Sequence, residues 1–180
     1  QGCDPHARLQ ASVKVFGSRK AYAGVMNAAS DKSGLDTFLQ AHGVTTDEAI
    51  DVETRRLGAD PDMVERILSV ITNGEKTMTF SLPWLTEAEG RLPPAPGRFI
   101  VLLDAADTPR LLLQLTEVRE RRFGEVDTED LAREGVPMRD PEAWRELHEW
   151  VWNARLEPLS KRVSADMPVW AEYFERIEPV

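Results

Sequence analysis

The spacing of apolar residues changes character at Gly74, and that change limits the folds open to this chain. Before it, Asp60-Pro61 opens an amphipathic run. Asp is suited to the N-cap and Pro to the first helical turn, and Met63, Val64, Ile67 and Ile71 fall on one face at helical spacing. Gly74 is a natural stop for that helix. After it the apolar segments are short and β-compatible: Lys76–Leu82, Phe99–Leu103, Leu111–Val118 and Val169–Ile177. Helices first and strands afterwards, with two helices interposed, imply an α+β fold. Several short, dispersed strands further imply a small β-barrel with helices on its outside.

The connections fit that outline. Pro93, Pro94, Pro96 and Gly97 make Glu87–Gly97 a loop, and Asp104–Pro109 reads as a hairpin connection. Thr128 caps a short predicted helix through Glu134, and Asp140-Pro141 opens a longer one through about Leu156. In the last strand, Trp170 and Phe174 share one face, with Val169, Tyr173 and Ile177 on the other. Upstream, residues 11–27 suggest a helix weakened by Gly17 and Gly24. Ser33–His42 suggests another, ended by Gly43, and the pair Thr45 and Glu48 resembles a capping box for a helix through about Leu57. The expected organisation is an N-terminal helical extension over 1–58, with Gln1-Gly2 read as a tag remnant, followed by a barrel domain over 59–180.

Composition excludes several function classes. With 42% hydrophobic residues the chain can build a core, and no apolar run approaches the roughly 20 residues of a membrane span. The formal charge of −9 argues against a whole surface built for duplex nucleic acid, while leaving room for a local basic pocket. The lone Cys3 makes no internal disulfide, which suits a reducing, cytoplasmic setting. His6, His42 and His148 lie far apart, so no zinc site or other cofactor is expected.

The segment Asn73–Phe80 holds the candidate chemistry, although by residue type Lys76 also reads as a solvated strand lysine and Thr77 and Thr79 as ordinary β-branched strand residues. It lacks the glycine spacing of a phosphate-binding loop, because Glu75 intervenes between Gly74 and Lys76. In a regular strand Lys76 and Thr79 point to opposite faces, and they converge only if Lys76 sits in the turn before the strand. A lysine in a partly dry pocket can take a proton from a neighbouring hydroxyl, and a nearby carboxylic acid completes a proton-transfer set.

The series Gly74-Glu75-Lys76-Thr77-Met78-Thr79 resembles the G-x-K-x-x-T signature of ASCH domains, relatives of the PUA-like RNA-binding fold. Ser81-Leu82-Pro83-Trp84, Phe99–Asp104, Thr116-Glu117-Val118, Leu131–Gly135, Trp144–His148 and Asp166–Val169 extend the likeness in one order over about residues 60–178. The resemblance to the longer bacterial branch implies a PUA-like barrel whose cleft takes RNA or a modified nucleoside. Some small members hydrolyse the amide of N4-acetylcytidine. Their roles fall here on Lys76 as proton acceptor, Thr79 as nucleophile and Glu134 as proton donor. The alternatives that the resemblance leaves open are a non-catalytic RNA-binding or ligand-sensing module and a ribonuclease.

The same three residues also satisfy the chemistry of amide cleavage, which needs an attacking hydroxyl, a proton acceptor and an acid for the leaving amine. Glu134 at the end of the predicted helix would meet an unfavourable dipole that suits it as an acid. Ser81 shares strand parity with Thr79 and binds substrate through its hydroxyl or merely lines the pocket, and Trp84 offers an aromatic face to a base or packs as core. Arg119 and Arg121 share a face and bind phosphate or pair with carboxylates. The stripe Trp144, His148 and Trp152 reads as helix packing around a hydrogen-bonded histidine.

Overall fold

The computed structural model describes residues 32–45, 52–58, 60–136 and 138–180. The predicted helix over 11–27 lies outside these residues. The α1 helix (Lys32–Ala41) and the edge strand β1 (Glu53–Arg55) come first, followed by α2 (Pro61–Thr72), β2 (Met78–Ser81) and a short α3 (Pro83–Ala88). Then come β3 (Phe99–Leu103), β4 (Pro109–Arg122), α4 (Pro141–Leu156) and β5 (Pro168–Ile177). The stop and caps expected for α2 and α4 are present. The Asp60 side chain accepts the Met63 N–H at 2.8 Å at the start of α2, and Gly74 closes that helix at φ +74°. Asp140 accepts the Glu142 N–H at 3.0 Å at the start of α4.

The strands form one mixed sheet in the order β1-β3-β4-β5-β2. β1 runs parallel to β3, and all other pairs are antiparallel. This corrects the expected closed barrel: among the described residues β1 and β2 are the two edges, and no ladder joins them. The sheet nevertheless curls, because Arg55 on β1 reaches across β3 and β4 to Glu172 on β5. No helix among the described residues is long and apolar enough to cross a membrane.

Three further expectations change. The helix predicted from Thr45 to Leu57 gives way at Glu53–Arg55 to β1, where pairing with Ile100–Leu102 outweighs local preference. The helix predicted over Thr128–Glu134 is a single 3-10 turn, Asp130–Arg133. Its entry is organised by Asp127, not Thr128, with the Asp127 carboxylate accepting the N–H groups of Glu129 and Asp130. So short a turn has no developed dipole, and that argument for Glu134 as an acid lapses. The α3 helix was unforeseen, although Pro83 is well placed to open it.

The two sheet faces are covered differently. On the concave face α2 packs Val64, Leu68 and Ile71 against Ile100, Leu102, Leu113, Leu115 and Phe174. On the outer face α1 covers Val101, Leu103 and Leu112 through Leu39. Farther along that face, α4 sets Trp144, Trp152 and Leu156 against Phe123, Val126 and Val169, with Phe80 packed beside them. A register shift at Leu115/Glu117 leaves Thr116 unpaired. That bulge reverses the alternation of β4, so Glu117, Arg119 and Arg121 share the outer face with Tyr173, Ala171 and Val169.

Candidate functional site

Lys76 is placed by the end of α2. The N–H groups of Glu75 and Lys76 both reach the Val70 carbonyl, at 2.9 and 3.1 Å, so the chain doubles back before β2 begins. Thr77 then donates to the Arg133 carbonyl and accepts from Phe174, each at 3.0 Å, tying the strand entrance to the 3-10 turn and to β5. The result is a direct ion pair between Lys76 Nζ and Glu134 Oε2, with both residues buried. The second Glu134 oxygen has no partner among the described residues and is not sealed from solvent.

Arg139, which carried no sequence signal, brackets this pair. Its guanidinium donates to the Glu134 carbonyl at 2.8 Å and to the Glu75 carbonyl at 3.2 Å, joining the two backbone segments that bear the ion pair. His148 lies nearby on α4. Its Nδ1 meets the Trp144 carbonyl at 2.8 Å and its ring stacks on Trp144 at 4.4 Å. Burial pushes the His148 pKa down to about 4, against the pull of the Trp144 carbonyl and with help from the Lys76 charge. The histidine is therefore neutral at neutral pH. Beside the ion pair opens a cleft of about 510 Å³ whose lining includes Lys76, Thr77, Thr116, Arg133 and Arg176.

Thr79 has different neighbours. It stands opposite Glu172 in the β2–β5 ladder and shares the concave face with Ser81, whereas Met78 and Phe80 point to the outer face. The Thr79 side chain makes no hydrogen bond among the described residues, and its hydroxyl is not a buried orphan. Ser81 donates its hydroxyl to Glu172 Oε1. Glu172 is fully buried and receives Arg55 Nη1 on its other oxygen at 2.6 Å. Arg55 also grips Glu53 with two hydrogen bonds, of 2.7 and 2.9 Å, and Arg91 meets Glu53 at 2.7 Å. Burial pulls the Glu53 pKa upward, but Arg55, Arg91 and Arg98 together outweigh it and hold the carboxyl below its ordinary value. Sequence reasoning missed this network, because Arg55 and Glu172 are 117 positions apart.

The remaining candidates are accounted for by their contacts. Trp84 is partly buried against the α4 core, and Lys161 Nζ sits 4.3 Å from its ring centroid. Arg119 is held by both oxygens of Glu117, at 2.6 and 2.9 Å, and Arg121 meets Asp130 at 2.7 Å. Among the described residues no group of three His, Cys, Asp or Glu is placed to hold a metal ion.

Comparison with known proteins agrees with this architecture. The ASCH domain family model matches residues 53–178. Two crystal structures share the fold. An ASCH domain from Lactobacillus crispatus JV V101 superposes with a TM-score of 0.71 at 20% identity, covering 84% of this chain and 98% of that one. A protein from Enterococcus faecalis V583 superposes with a TM-score of 0.69 at 22% identity, covering 82% and 88% respectively. No curated protein matches the chain.

Proposed function

Because this chain belongs to the ASCH domain family, we propose that it recognises RNA or a modified nucleoside in the cleft beside Lys76, and that it hydrolyses the amide of an acylated cytidine of the N4-acetylcytidine kind. The observation that carries this reading is the buried Lys76–Glu134 contact. A proton passed from ammonium to carboxylate across that contact leaves a free amine beside an undissociated acid. These are the two proton partners that amide cleavage requires.

In this scheme the Lys76 amine takes the hydroxyl proton of Thr79 as its oxygen attacks the acyl carbon. The amide C–N bond breaks and Glu134 gives its proton to the departing amino group of cytosine. Water then hydrolyses the threonyl ester, releasing the acid and restoring the hydroxyl. The open second oxygen of Glu134 and the unbonded hydroxyl of Thr79 support these roles.

One observation favours a second reading, a binding module without turnover. Thr79 stands on the β2 face of Glu172 and has no hydrogen bond to Lys76 or Glu134. Incubation with N4-acetylcytidine, followed by chromatographic separation of cytidine, distinguishes the two. Turnover by the wild type, lost in both Lys76→Ala and Thr79→Ala, is the expected result. Turnover that survives both substitutions refutes the assigned chemistry. Binding of the nucleoside without turnover selects the second reading.

A further inference from the structure

Tyr173 is surrounded by arginines. The Arg119 guanidinium carbon lies 4.8 Å from its ring centroid and that of Arg133 lies 5.5 Å away. Arg121 projects from the same face of β4 as Arg119. Glu117 and Asp130 neutralise two of these three cations. Arg133 is the exception: its side chain has no hydrogen bond or ion pair among the described residues, and it lines the cleft together with Lys76. Tyr173 is 5% exposed, yet its hydroxyl has no hydrogen-bond partner among the described residues and is not sealed from solvent. Around Tyr173 the three guanidiniums outnumber Glu117 and Asp130 by one, although Glu175 and Glu178 also line the cleft, and two donor groups are unused.

The donors are also held in place. The Arg133 backbone is fixed by the Thr77 N–H, and Arg119 is fixed against the ring by Glu117. A guanidinium and a phenol with free N–H and O–H groups complement the oxygens of a phosphate. We propose that Arg133 and Tyr173, backed by Arg119, bind the phosphate of a nucleotide whose base lies in the cleft beside Lys76 and Glu134. A phosphorylated nucleotide, alone or within a strand, is then bound more tightly than the free nucleoside. Burial raises the Tyr173 pKa, with Asp130 and Glu117 adding to the rise and Arg119 and Arg121 opposing it. The phenol therefore keeps its proton and donates it at neutral pH.

This inference rests on the nucleoside reading above and deepens it. The test is calorimetric titration of the wild type, Arg133→Gln and Tyr173→Phe with cytidine, cytidine 5′-monophosphate and a short oligocytidylate lacking terminal phosphates. The wild type is expected to bind a phosphate-bearing ligand about tenfold more tightly than cytidine or better. That advantage should disappear in Arg133→Gln and shrink in Tyr173→Phe, with the melting temperature unchanged. The monophosphate and the oligonucleotide separate a mononucleotide ligand from a strand. Cytidine binding with no phosphate advantage, or an advantage that survives Arg133→Gln, overturns this inference alone. Failure of all three ligands to bind the wild type overturns it together with the nucleoside reading.

Discussion

Two buried carboxylates flank the β2–β5 ribbon, and the protein treats them differently. On the concave face, Glu172 has no contact with solvent, and both of its oxygens are taken up by Arg55 and Ser81. On the outer side, Glu134 gives one oxygen to Lys76 and leaves the other open, beside a cleft. The first arrangement belongs to a chain of charges running through Arg55 and Glu53 to Arg91, which draws the three-residue edge strand β1 over the sheet. The second is a single pair at the junction of a helix end and a strand. A saturated, sealed carboxylate holds structure together, whereas a half-satisfied one beside a cleft has capacity left for a ligand or a proton.

Removing one partner from each cluster tests this contrast. Arg55→Ala strands Glu172 where water cannot reach it and releases Glu53 as well, so a loss of about 4 kcal/mol of folding stability is expected by urea denaturation. A loss under 1 kcal/mol would show that the network is not what holds β1 in place. Lys76→Met should cost less, about 2 kcal/mol, because Glu134 keeps a path to solvent. The double variant Lys76→Met/Glu134→Leu should recover most of that loss while remaining unable to bind or turn over substrate. Recovery of stability without recovery of function would mark the outer pair as functional, and recovery of both would mark it as packing.

The smallest effect is on pH dependence. His148 has a folded pKa of about 4, below the ordinary histidine value of 6.5. Above pH 6.5 both states are neutral and the group contributes no pH dependence. As pH falls from 6.5 toward 4 the unfolded chain takes up a proton that the folded chain refuses, and stability declines. His148→Gln should flatten the stability profile in that window by up to about 1.4 kcal/mol per pH unit relative to wild type. Parallel profiles would place the imidazole in contact with water, away from the Lys76 charge.

Much of the outer site was legible in the sequence. Gly74 and the Asp60-Pro61 start delimit α2, the signature spacing singles out Lys76 and Thr79, and the family resemblance adds Glu134, which the fold brings against Lys76. These features are local: a cap, a stop and a short motif act over a few residues and leave marks at fixed spacing. Arg119 and Arg121 were legible only in part. Their shared face follows from strand alternation, but the bulge at Thr116 decides that this face is the one with Tyr173. The separate surroundings of Thr79 and Lys76 likewise depend on where the strand begins, and β2 begins only at Met78.

The sequence by itself therefore determined the α+β succession and the starts of α2 and α4, and, through the family resemblance, it named Lys76 and Glu134 as candidates. Only the tertiary structure decided that the sheet stays open, that β1 joins it, and that Arg55, Ser81 and Glu172 share one buried network. The physical reason is range. Backbone preferences and periodicity act between near neighbours along the chain, while strand order, curl and the pairing of distant charges follow from how the whole chain buries its apolar faces and satisfies the polar groups it buries with them.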